Sequence, residues 1–121
     1  MTKEKFNELM STMKQNIIEK TIEGFEKHYS YADEYINRCI NIRANEGKFY
    51  VVLKFTDIFN EVDLKEVNIN MLFNVLKYRQ YFVTMNSSGE YIYISWESFI
   101  DKKFIEYALN KQINKGANIH D

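Results

Sequence analysis

Few residues in this chain could do chemistry. Cys39 is the single cysteine, His28 and His120 are the only histidines, and Asp57, Glu61, Asp63 and Glu66 form the densest run of carboxylates. A nucleophile needs a base beside it, and zinc needs its ligands at short, regular spacing. Positions 28, 39 and 120 offer neither pattern. Cys39 falls on the apolar stripe of an expected helix, where inert thiols are common. His28 falls at a helix end, where it complements the dipole, and His120 in a tail that is expected to fray. The four glycines, Gly24, Gly47, Gly89 and Gly116, are isolated, so neither a phosphate loop nor a dinucleotide fingerprint is present. Asp57 and Glu61 share a face if the segment is helical, and could hold a cation or act as acid and base. No calcium-loop pattern surrounds them. They are read as a solvated acidic face that could meet a basic partner. The expectation is a protein that is not an enzyme, with no catalytic residue, no metal and no cofactor.

What remains is recognition, and two sets of side chains could perform it. The first lies in "FVTMNSSGEYIYISW" at 82–96, two alternating runs about a turn sequence, the signature of a β-hairpin. With the turn centred on Ser88 and Gly89, Met85 faces Ile92, Val83 faces Ile94 and Tyr81 faces Trp96, which makes that the core face. The other face pairs Asn86 with Tyr91, Thr84 with Tyr93 and Phe82 with Ser95. Tyrosine combines contact area with a hydroxyl that tolerates water, so Thr84, Tyr91 and Tyr93, with Asp57, Glu61, Asp63 and Glu66, are the expected protein-binding residues. Tyr29 and Tyr31, at a helix junction, add to the tyrosine excess. The second set is Asn70, Asn74, Lys77 and Arg79 on one helix, where Asn reads adenine bidentately and the cations meet phosphate. Against this DNA-binding alternative stand the four nearby carboxylates and a hairpin tip without Lys or Arg.

Seven elements must position these groups. Apolar residues at Phe6, Leu9, Met10, Met13, Ile17, Ile18, Ile22 and Phe25 predict a helix over about 3–28, with Thr2 as N-cap and Gly24 as a place to end or bend it. A helix of that length is roughly 37 Å long, so it is expected to project or to pair with a second copy as a homodimer. A second helix is predicted from a capping box at Ser30 and Asp33 to Gly47, carrying Ala32, Tyr35, Ile36, Cys39 and Ile40 inward. "KFYVVLKF" at 48–55 predicts a strand with one wetter face. Thr56 or Asp57, and then Asp63, mark the starts of two helices, the second reaching about Tyr78. After the hairpin, Ser98 and Asp101 open a closing helix with Ile100, Phe104, Ile105, Tyr107, Ala108, Leu109 and Ile113 on adjoining stripes, ended by Gly116.

Helix, helix, strand, helix pair, hairpin, helix is an α+β chain whose order resembles a winged helix. With 121 residues and no proline, one domain spanning 1–121 is expected. Net charge is -1, which gives no general pull on nucleic acid. No apolar run approaches the roughly 18 residues of a membrane span, and the charged beginning does not resemble a secretory signal. A soluble, cytoplasmic protein with no membrane partner is expected. The abundance of Lys, Asn and Ile reflects AT-rich codons. These features together suit a non-catalytic protein-binding module, a small regulator or inhibitor of the phage or plasmid type that could block a host nucleic-acid-binding enzyme. The alternative is a winged-helix-like DNA-binding regulator.

Overall fold

A computed structural model of the chain describes residues 2–97 and 101–117. The elements run α1 (Lys3–His28), α2 (Ser30–Asn45), β1 (Tyr50–Lys54), α3 (Phe55–Ile58), α4 (Glu66–Tyr78), β2 (Phe82–Met85), β3 (Tyr91–Ser95) and α5 (Lys102–Ala117). The fold is α+β, in the element order expected. Ser98, Ile100 and His120, which figured in the expectations for the closing helix and its tail, lie outside the described residues.

The three strands form one antiparallel sheet in the order β1-β3-β2. The hairpin register is the one read from the sequence: Met85 pairs with Ile92, Val83 with Ile94, Thr84 with Tyr93 and Phe82 with Ser95. Asn86 fixes the turn, because its Oδ1 accepts from the amides of both Glu90 and Tyr91 at 3.0 Å while Gly89 takes φ 74°. The central strand β3 is buried along its whole length.

One sheet face, carrying Val51, Leu53, Val83, Ile92 and Ile94, joins the main core with Phe25, Ile36, Ile40, Phe55, Ile58, Leu72, Val75 and Leu76. The other face carries Tyr50, Val52, Phe82, Tyr91 and Tyr93, and α5 covers it with Phe104, Ile105, Ala108, Leu109 and Ile113. The sheet is thus sandwiched between helices. The expected wetter face of β1 is covered by the same helix.

Several helix boundaries differ from their sequence signals, some through bonds within a turn and some through bonds to distant residues. Thr2 caps α1 as expected, its Oγ1 accepting from the Lys5 amide at 3.2 Å. Gly24 does not end α1, which continues to His28. The break comes at Tyr29, whose hydroxyl donates to Oδ1 of the buried Asn68 at 2.9 Å and so pins the junction to α4. Ser30 makes no capping bond, and Asp33 is turned instead towards Arg79. Gly47 does close α2, at φ 81°, with its amide and that of Lys48 satisfying the carbonyls of Ala44 and Arg43. α3 is one turn only, and α4 begins at Glu66 without a side-chain cap. Asn60 takes the local role expected of Asp63: its Oδ1 accepts from the Asp63 amide at 2.8 Å. Finally, α5 passes through Gly116 to Ala117.

Candidate interaction surfaces

The hairpin face carrying Thr84, Tyr91 and Tyr93 is not a free surface. Tyr91 and Tyr93 are each 3% exposed, and Thr84 is half-buried. The Tyr93 ring stacks on Tyr50 with centroids 5.4 Å apart and meets Phe82 edge-on at 6.3 Å. Burial pushes the Tyr93 phenol above its ordinary pKa, and the neighbouring Tyr50 adds to the rise against an opposing contribution from Ser95. These tyrosines are core residues of the layer beneath α5. Periodicity assigned them correctly to the face opposite Ile92 and Ile94, but alternation cannot say whether that second face meets water or another helix. Met85, expected inward, is 46% exposed at the end of the edge strand β2.

The four carboxylates do not converge on one helical face. Asp57 is exposed on α3, which stops at Ile58, so Glu61 and Asp63 belong to the following turn and Glu66 opens α4. Asp63 is half-buried and lines a groove with residues of α1, while Asp57, Glu61 and Glu66 face solvent. Among the described residues, no group of three or more His, Cys, Asp or Glu is placed to hold a metal ion.

The DNA-reading set divides. Asn70, Asn74 and Lys77 are exposed on one side of α4. Arg79 is not available, since its guanidinium donates to Asp33 at 2.6 Å and to Glu26 at 3.0 Å. Burial alone would lower its pKa, but the bonds to and charges of Asp33 and then Glu26 outweigh that and raise it. The intended cation is a structural strut.

Cys39 packs against the core, half-buried, in agreement with its place on the α2 stripe. Beside it, Tyr35 is pushed up to about 12 by burial first and by neighbouring Cys39 and Asp57 next, with Arg38 opposing. His28 is exposed at the end of α1.

The most extensive apolar surface is on α1. Phe6, Leu9, Met10, Met13 and Ile17 are 47–58% exposed, and every residue from 3 to 17 is exposed. These are five of eleven large apolar side chains left exposed among the described residues; the other six are scattered over α2, α4, α5, β2 and a loop, which makes α1 the only run of them. The same helix docks on the main core through Ile22 and the fully buried Phe25. At 3.6 residues per turn, the outward stripe is rotated by roughly 130° about the axis from the docked one. The two stripes therefore cannot serve the same surface. Where they meet, an open groove of about 560 Å³ runs between α1 and α4, lined by Lys20, Thr21, Gly24, Phe25, His28, Tyr29, Asp63 and Met71.

Sequence reasoning found every member of the outward stripe but merged it with Ile18, Ile22 and Phe25 into one face. The signal that separates them is the change of phase between Ile17 and Ile18, where consecutive residues both carry large apolar groups.

No family model matches the chain, and no curated protein or solved structure matches it. Among the described residues, no helix is long and apolar enough to cross a membrane.

Proposed function

We propose that the chain is a non-catalytic protein-binding module, a small cytoplasmic regulator or inhibitor, that engages a protein through the outward stripe of α1. One observation carries this reading: five large apolar side chains stand half-exposed in a single helical row on a segment that contributes no buried residue to its own domain. Scattered apolar residues on a surface need no explanation, whereas a contiguous row of them marks a contact site. The chemistry of the row fits a protein partner. Methionine and leucine adapt to an irregular apolar groove, and Phe6 supplies an aromatic anchor. Flanking charge is close to balanced, with Lys3, Lys5, Lys14 and Lys20 against Glu4, Glu8 and Glu19. That balance suits protein better than anionic lipid or nucleic acid, which reward a cationic face.

Capture by the tagged full chain tests the reading. A protein retained by the wild type and lost with Leu9→Lys plus Met13→Lys, at unchanged circular dichroism and melting temperature, is the expected result. Equal retention by both forms overturns it.

A second reading, DNA binding through α4, draws on the shared exposure of Asn70, Asn74 and Lys77 in a winged-helix-like order. It has lost Arg79 to an internal ion pair. Asn74→Ala with Lys77→Ala should abolish a salt-dependent mobility shift if it holds, and should leave capture through α1 untouched if it does not.

A further inference from the structure

Resting on the reading of α1 as a protein-contact helix, we infer that its partner is a second copy of this chain, paired antiparallel along residues 6–17. The seam has limits written into it. Phe6, Met10, Met13 and Ile17 follow one another at spacings of four, three and four, the rhythm of a two-stranded helical seam. One step further in each direction the same rhythm meets Lys3 and Lys20, so the apolar stretch is bounded at both ends. A segment bounded this way is complementary to its own reverse. With the two-fold axis passing between Ser11 and Thr12, Phe6 meets Ile17 of the second copy and Met10 meets Met13, twice over.

The flanks agree with that alignment. Positions beside an antiparallel seam face their own kind across it, which sets Asn7 against Lys14 of the second copy and Leu9 against Asn16. Neither pair places like charges together. At the ends, Lys3 approaches Lys20 of the second copy, but Glu23 of that copy lies within a turn and compensates.

Geometry rules against the parallel alternative. The folded body begins where the seam ends: Ile17 is 58% exposed while Phe25, two turns on, is 1% exposed. Parallel helices would bring both bodies to the same end of the seam and stack Lys20 on its own copy. Antiparallel helices send the bodies to opposite ends, beyond each other's first residues. The pairing is closed by its two-fold axis, so it stops at a dimer.

The surface available is adequate for a reversible dimer. A free side chain of this size presents roughly 150–200 Å², and half of that at five positions on two chains comes to about 750–1,000 Å², below the roughly 1,200 Å² of stable interfaces and in the range of weak, transient ones. So small a seam suits weak, reversible association.

Sedimentation of the full chain over a concentration series provides the test. The wild type should move reversibly between monomer and dimer. Met10→Glu with Met13→Glu should weaken dimerisation at least about 100-fold. Met10→Glu with Met13→Lys sets opposite charges across an antiparallel seam and like charges across a parallel one, so it should recover at least about tenfold of that loss. A wild type that stays monomeric at every concentration overturns the dimer; capture of a different protein through the same stripe would then still uphold the contact-helix reading. Dimerisation that survives Met10→Glu with Met13→Glu overturns the seam. A dimer lost equally in both double variants overturns the antiparallel alignment.

Discussion

Arg79 Nη1 donates to Asp33 Oδ1 at 2.6 Å, tying the end of α4 to the first turn of α2 across 46 residues of chain. Both side chains are largely shielded, at 17% and 13% exposure, and Glu26 on α1 completes the bridge, so one guanidinium holds three helices. Removing one partner leaves the other charge poorly solvated. Arg79→Ala should lower stability by about 2 kcal/mol, discounted from a fully buried pair for the solvent that reaches Glu26. Urea denaturation checks this. Arg79→Met combined with Asp33→Leu should cost less than the two single changes added together, because the one carboxylate left without a partner, Glu26, is half-exposed to water.

The tyrosine layer beneath α5 makes a prediction opposite to that of a contact surface. Tyr93→Ala removes a stacked ring from a buried site and should destabilise by about 3 kcal/mol, as large-to-small core changes do. An exposed interface tyrosine would cost less than about 0.5 kcal/mol. Thermal or chemical denaturation separates these outcomes without any knowledge of a partner.

Gln80 sits in the left-handed region at φ 73°, directly after the C-cap of α4, where its amide donates to Lys77 O and that of Tyr81 to Leu76 O. That is the position where a helix end favours glycine. Gln80→Gly should stabilise by about 0.5–1 kcal/mol, the relief of the left-handed backbone exceeding the added freedom of the unfolded chain. A rise in melting temperature is the readout.

Alkaline pH should unfold the protein by way of its phenols. Tyr35 ionises near 12 in the folded chain, and Tyr93 is also raised, while both return to about 10 on unfolding. Between those values the unfolded state has lost protons that the folded state keeps, so stability is fully present below pH 10 and falls as pH rises towards 12. Denaturation midpoints across that window should drop, and Tyr35→Phe should flatten the slope. Absorbance at the phenolate band should show Tyr35 ionising late.

Local rules carried a large part of the fold. The hairpin register followed from alternation about Asn86 and Gly89, because a slip of one residue would take Val83 out of line with Ile94 and put it on the face beneath α5. The Gly47 helix end followed from the demand for positive φ. Caps were less legible. The Ser30 and Asp63 signals failed because Asp33 and Asn60 form better bonds elsewhere, to a partner 46 residues distant in the first case and within the turn in the second.

What the sequence determined by itself was periodicity: which residues share a side of each helix or strand, and hence that Tyr91 and Tyr93 oppose Ile92 and Ile94 and that α1 carries Phe6, Met10, Met13 and Ile17 in a row. What only the tertiary structure decided was which of those sides is covered. α5 closes over the tyrosines and none of the described residues closes over the first half of α1, so the surface expected to be free is buried and a stripe that resembles core stands in solvent. The physical reason is that a period is a property of one element, whereas burial belongs to a pair of elements brought together by chain that neither of them encodes.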